Sequence, residues 1–260
     1  MQHRTPSPVS PSCAPREAPI SLLARYSSYF RTQAADTLSL VRTAQAIRYQ
    51  VYCLERGFES AGAHGNGLER DAFDSAAIHS LVIHRPTSDA IGTARLILPG
   101  RCANLPFQQL LAENGLRVQD HVPLETAAEV SRFAISNQFR RRRADGEFAT
   151  DDARHTREPE CRGSLPCLGL VQEVTRQSLA LGLTHWVAVM EPTLLRRLAR
   201  IGIHFRPVGP LVSHHGLRQP SYACIAEVLE RLKREQPDNW MVVTDGGALQ
   251  PEMPEQRRAA

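Results

Sequence analysis

The chain has 260 residues, 42% of them hydrophobic and 22% charged, with a formal net charge of +4. That length buries one substantial core, so a single domain with insertions is expected, and the composition is ordinary for a globular fold. No run approaches the roughly 18 consecutive apolar residues that a membrane span requires, which excludes a helical membrane protein. The positive charge is almost all arginine, with Lys233 the single lysine. A mild excess of this kind suits an acidic partner without requiring nucleic acid. The cysteines Cys13, Cys53, Cys102, Cys161, Cys167 and Cys224 are scattered and form no Cys-x-x-Cys. They make neither a disulfide framework nor a zinc ribbon, and they fit a reducing compartment. The polar N-terminus lacks the apolar stretch of a signal peptide, so a cytoplasmic protein is expected.

In chain order, residues 1–20 are Pro- and Ser-rich and read as a disordered tail. Tyr26 to Gln33 reads as a first strand. The spacing of Leu38, Val41, Ala44, Ile47, Val51 and Leu54 predicts one amphipathic helix from Leu38 to Glu55. A Gly-rich loop spans 60–70. A hairpin follows, with strands His79–His84 and Ile91–Leu98 around a turn at Pro86–Asp89. Phe107–Glu113 reads as a short helix and Ala127–Ser136 as a buried strand. Residues 137–166 form a long polar insertion containing Arg140 to Arg143. Leu168–Leu181 then reads as a helix, Thr184–Met190 as a strand, and Pro192–Gly202 as a helix. Ile203–Val212 reads as a Pro-interrupted strand, Tyr222–Glu235 as the last helix and Trp240–Thr244 as a short strand. Residues 247–260 are a second tail. The order predicts an α/β (α+β) fold in one domain over 21–246, with a mixed, mostly antiparallel sheet and helices on both faces.

Chemistry concentrates at charges in apolar surroundings. On the strand Ala127–Ser136, a two-residue period puts Glu129, Ser131, Phe133 and Ile135 on one face and Arg132 on the other. Charges on a central strand are costly unless paired or used. Arg48 on the first helix and Arg95 in Gly92-Thr-Ala-Arg-Leu stand in comparable settings. The loop Glu69-Arg-Asp-Ala-Phe-Asp74 puts three carboxylates within six residues and could partner these arginines. Its order does not match an EF-hand. The charges on the strand read either as a buried Glu–Arg pair that sets register or as working groups; the loop reads either as a solvated turn or as a site for a cationic or amine group, with one carboxylate free to act as a base. His155, Cys161 and Cys167 match no strong zinc pattern, and no metal is expected.

Arg48-x-x-x-Tyr52, Glu69-x-Asp71-x-x-Asp74, Gly92-x-x-Arg95-Leu and Glu129-x-Ser131-Arg132-Phe133 stand in the order and spacing of the acyl-homoserine-lactone synthases. Over about residues 26–215 the chain resembles that family, a branch of the GNAT-type acyltransferases. It resembles more closely the acyltransferases associated with PEP-CTERM/exosortase systems, relatives of N-acyl amino acid synthases. The residues carrying that likeness are Arg48-Tyr-Gln-Val-Tyr-Cys-Leu-Glu55, Glu129-Val-Ser-Arg-Phe-Ala-Ile-Ser136, Gly209-Pro210 and His215-Gly216-x-Arg218-Gln219-Pro220. Tyr52 and Phe58 depart from the lactone synthases, which usually carry Phe and Trp there.

The resemblance implies a GNAT-like fold and transfer of a fatty acyl group from an acyl carrier protein thioester to the amino group of an amino acid or related amine. Acyl carrier protein and a small amine acceptor are then the partners. Cofactors are none beyond a carrier-protein or coenzyme A thioester as co-substrate. Such a reaction needs a base to free the amine, and Glu129 is the first candidate and Glu69 the second. Ser131 would serve the leaving thiol. Arg48, Tyr52, Phe58, Asp71, Asp74, Arg95, Arg132 and Phe133 would bind substrate or hold the charges in place. A bulge in the central strand would supply oxyanion donors and let Glu129 and Arg132 share a site despite their opposed parity. Arg140 to Arg143 could dock an acidic carrier; the run lacks the interleaved aromatics of a nucleic-acid surface. The rival readings are a lactone synthase and a noncatalytic acyl-binding regulator of the same fold.

Overall fold

The computed structural model describes residues 20–118, 122–137, 164–214 and 216–251. The expected N-terminal tail, nearly all of the insertion at 137–166 with Arg140 to Arg143, His155 and Cys161, then His215, and the chain from 252 onward lie outside the described residues, apart from Ile20.

Ser21 caps the first helix by accepting from the Ala24 N–H, so α1 (Leu22–Tyr29) precedes β1 (Phe30–Ala34) where a strand from Tyr26 is expected. Thr37 caps α2 (Leu38–Arg48) in the same way. The expected helix to Glu55 continues only as a π-helical turn over Tyr49–Glu55. The antiparallel hairpin β2 (Ala77–His84) and β3 (Asp89–Ile97) leads through α3 (Pro106–Glu113) to β4 (Ala127–Ile135). Then come α4 (Leu165–Ala180), β5 (His185–Met190) and α5 (Pro192–Arg200).

Three expectations fail in the last quarter. The strand Ile203–Val212 is reduced to β6 (Arg206–Pro207) and β7 (Val212–Ser213), because Pro207 and Pro210 cannot donate to a ladder. Tyr222–Cys224 belongs to a strand, β8 (Leu217–Cys224), and the helix α6 starts only at Ile225 and runs to Glu235. Pro220 disguises β8; its carbonyl still accepts from the Val208 N–H at 2.9 Å. Trp240–Val243 is helical within α7 (Pro237–Val243), which Thr244 ends, with Pro237 in its first turn, where no N–H is needed.

The strands form one open sheet in the order β1-β2-β3-β4-β5-β8-β6, with β7 paired to β8. Every pairing is antiparallel except β4–β5. The parallel step requires a crossover, and α4 makes it. One core lies between the sheet and α1, α4, α6 and α7, around Trp186, Leu168, Leu170 and Leu96. The opposite face is covered by α2 through Ala44, Ile47, Leu81 and Ile83. Helices therefore sit on both faces. At Gly92 a Cβ would stand 2.9 Å from the Ala134 carbonyl oxygen, so β3 tolerates only glycine at that close approach to β4. Among the described residues, no helix is long and apolar enough to cross a membrane.

Candidate active site

Two irregularities of β4 build the site. The first is the expected bulge: Thr93 pairs with Ala134 but Arg95 pairs with Ser131, so Arg132 and Phe133 together oppose Ala94. Arg132 takes a left-handed backbone at φ +50°, a conformation that costs a non-glycine residue about 1–3 kcal/mol unless its surroundings impose it. The second is a splay. β5 pairs with β4 only from Ala127 to Glu129, and beyond that point the strands part. A cavity of about 1390 Å³ opens there, lined among others by Glu129, Ser131, Arg132, Phe133, Tyr52 and Met190.

Beside the bulge lies a charge cluster. Asp71 caps its own loop by accepting from the Phe73 N–H at 3.0 Å, which presents the acids toward the sheet. Arg48, fully buried, donates through Nε to Glu69 and through Nη1 to Asp74 at 2.6 Å. Arg95 reaches Asp71 and Asp74, each at 2.6 Å, and donates through Nε to Ser131 Oγ at 3.0 Å. Arg132 reaches Glu69 at 2.9 Å and Asp71 at 3.1 Å. Three arginines thus meet three carboxylates, and Arg95 and Arg132 stand beside the acidic loop as their settings in the sequence imply. Each pairing satisfies charges that would otherwise be very costly to bury.

Glu69 is not placed to be a base. It is 1% exposed and gripped by two arginines. Burial alone would raise its pKa, but the hydrogen bonds and charges of Arg48 and Arg132 outweigh this and hold it at about 2. The expectation of Glu69 as second base is corrected on that ground: it orders the arginines. Asp71 and Arg132 are each about a quarter exposed and line the cavity.

Glu129 is in a different state. It is 4% exposed, makes no ion pair among the described residues, and lines the cavity. The alternative of a Glu129–Arg132 pair that sets register therefore fails. Its Oε2 accepts from the Phe107 N–H at 2.7 Å, one of the unsatisfied donors at the start of α3. Burial pushes its pKa up to about 7, against the opposing pull of that hydrogen bond and of Arg95 and Arg132. A carboxylate titrating near neutrality can both take and release a proton there.

The wall facing the bulge is aromatic. Tyr52 Oη donates to the Phe133 carbonyl at 3.3 Å, and the Arg132 guanidinium lies 5.5 Å from the Tyr52 ring centre. Phe58 packs 6.3 Å from Tyr52, with the guanidiniums of Arg56 and Arg218 at 5.8 and 5.2 Å from its ring. Glu191 bridges Arg218 at 3.1 Å and Arg56 at 3.6 Å. Sequence reasoning missed Arg56, Glu191, Glu59, which lies 3.6 Å from Arg132, and the Phe107 amide. Only the last had a local signal, the Pro106 that opens α3.

A stability test follows from two buried groups with opposite tendencies. Burial, reinforced by Arg48, lowers the pKa of His79 to about 4, so its contribution is complete above pH 6.5 and is lost as pH falls toward 4. Glu129 has a raised folded pKa, so its contribution is complete below pH 4.5 and is lost as pH rises toward 7. In Glu129→Gln only the second effect disappears. Relative to the parent, the variant should gain ~3 kcal/mol between pH 4.5 and 7. Urea unfolding across that range measures it, and parallel stability curves would show that Glu129 does not carry a raised pKa.

The family described as Acetyltransferase (GNAT) domain matches residues 47–147, less than half of the chain. No curated protein matches. Among solved structures, TofI in a ternary complex with an inhibitor and MTA is 20% identical over 78% of this chain and 96% of its own, with a TM-score of 0.54. BjaI, a CoA-dependent acyl-homoserine lactone synthase with SAM and isopentyl-CoA, is 16% identical over 87% of this chain and 94% of its own, at 0.51. FeeM, an N-acyl amino acid synthase from uncultured soil microbes, is 15% identical over 79% and 96%, at 0.49. The fold is thus the GNAT-like acyltransferase fold, and the domain match and the fold together support an acyltransferase.

Proposed function

We propose that the protein is an N-acyltransferase that moves a fatty acyl group from an acyl carrier protein thioester to the amino group of an amino acid or related amine. The observation that carries this reading is the state of Glu129: a buried carboxylate outside any ion pair among the described residues, titrating near neutrality, on the wall of a cavity that opens where β4 leaves β5. A pocket for one small ligand holds about 300–1,000 Å³, so this cavity has room for a thioester arm and an acceptor together. Glu129 takes a proton from the acceptor ammonium, and the freed nitrogen attacks the thioester carbonyl carbon. A backbone N–H at the bulge receives the developing oxyanion. The C–S bond then breaks as the C–N bond persists, the second proton lost by the attacking nitrogen ends on the departing thiolate to give a thiol, and Glu129 releases the first to solvent. Arg132 and Asp71, on the cavity wall, bind and orient the acceptor. Arg48, Arg95, Glu69 and Asp74 hold those two in place. Ser131, bound by Arg95, stands at the bulge where the thiol leaves.

The similarity to BjaI favours a second reading, lactone synthesis from a coenzyme A donor. Mass spectrometry of lipids from an expressing strain, beside an empty-vector strain and one carrying Glu129→Gln, separates the two. N-acyl amino acids made only by the parent support the proposal. Acyl-homoserine lactones would replace it, and identical profiles in all three strains would leave no acyltransferase activity to explain.

A further inference from the structure

We propose that Tyr52 is a positioning residue for acyl transfer, clamping the β4 bulge so that the Phe133 backbone N–H is held toward the thioester oxygen. This rests on the acyl-transfer reading and adds a role for a hydroxyl that the reading does not use.

Strand geometry sets the direction of the Phe133 peptide groups. Ser136 N–H donates to the Ile91 carbonyl at 3.0 Å. Pairs in an antiparallel ladder alternate, so Ala134, opposite Thr93, turns its backbone groups to β3. Those of Phe133 point away from β3, to the side where β5 has left the sheet. Both the N–H and the carbonyl of Phe133 therefore face the groove. The carbonyl is an acceptor that would repel a second oxygen brought close to it, and the Tyr52 hydroxyl covers it. The N–H beside it remains directed to the groove.

Tyr52 holds the neighbouring residue as well. Its ring stacks against the Arg132 guanidinium, whose nitrogens are pinned to Glu69 and Asp71. Arg132 is the residue with the left-handed backbone, which persists only where surrounding contacts over-determine it. One side chain thus touches both bulged residues, the ring on the side chain of Arg132 and the hydroxyl on the backbone of Phe133. Its placement comes from the π-helical turn that carries Tyr52 out of the α-helical register of α2. Burial raises the phenol pKa, so the hydroxyl stays protonated and remains a donor at any working pH. Phenylalanine would stack equally well but could not cover the carbonyl.

The test is Tyr52→Phe, which removes one oxygen and keeps the ring. Donor is an acyl carrier protein loaded with a series of acyl chains; acceptors are the common amino acids. At saturating donor, kcat should fall about 10–100-fold, the scale of a small misplacement at the reacting centre. Donor KM and the pH midpoint of kcat/KM should stay at parent values, since Glu129 and the donor surface are untouched, and the melting temperature should fall by no more than the few degrees that one lost hydrogen bond explains. A parent-like kcat overturns the proposal. A loss that follows melting temperature or donor KM also overturns it, because Tyr52 would then only support the fold or the binding surface. If the parent transfers no acyl group to any acceptor, the acyl-transfer reading falls and this inference with it, a result distinct from a fully active Tyr52→Phe.

Discussion

Glu129→Gln is expected to lower turnover by ~10²–10⁴-fold, the range attributable to a positioned general base, while the protein stays folded. The glutamine carbonyl can still accept from the Phe107 N–H, so the start of α3 keeps its partner. What disappears is the ability to hold a proton. In the parent, kcat/KM should rise with pH through about 7 as Glu129 ionises, and the variant should lack that limb. Steady-state kinetics with circular dichroism as the folding control decide the matter. A folded variant with near-parent turnover would remove Glu129 from the mechanism. Glu69 could not inherit the role, because a carboxylate held at about 2 does not take up a proton near neutrality and two arginines cover its oxygens.

Arg95→Ala is expected to destabilise the protein strongly. Arg95 is 2% exposed and holds Asp71, Asp74 and Ser131 at once. Removing one partner of a buried ion pair costs ~3–5 kcal/mol, because the charge left behind stays desolvated. For a domain of this size that lowers the melting temperature on the order of 10 °C. Activity should fall with it, as Asp71 and Ser131 both line the cavity. Arg206→Ala is the comparison: its pair with Glu227 is solvent-exposed and should be worth about 0–1 kcal/mol. Equal melting temperatures for the two variants would refute the argument that the cluster supports the fold.

Much of the architecture was legible. Periodicity located α2, the β2–β3 hairpin, β4, α4, β5 and α5 because each has a clean apolar pattern. It failed where prolines stood in extended chain, hiding β8 behind Pro220, and where a buried Val242-Val243 pair suggested a strand but packs within α7. The break from α-helix to π-helix after Arg48 had no signal in the pattern, since the spacing of Ile47, Val51 and Leu54 runs on unbroken, yet the turn leaves Leu54 exposed. In the site, Arg48, Arg95 and Arg132 were legible as charges that needed partners, and the Glu69–Asp74 loop as the nearest acids to supply them.

By itself the sequence determined which charges had to be buried and neutralised, since an arginine amid Ile, Ala and Leu cannot go unpaired at any position in a fold. It also placed Glu129 and Arg132 on opposite faces of a regular strand, and the bulge that lets them share a site was implied by the family resemblance. It could not separate Glu129 from Glu69, because both are glutamates among arginines and a pKa depends on what surrounds the group in space. The tertiary structure decided that. Chain segments far apart in sequence bring two guanidiniums onto Glu69 and hold it ionised, while the same packing leaves Glu129 against one backbone N–H in an apolar wall, where desolvation outweighs attraction and its proton becomes available near neutral pH.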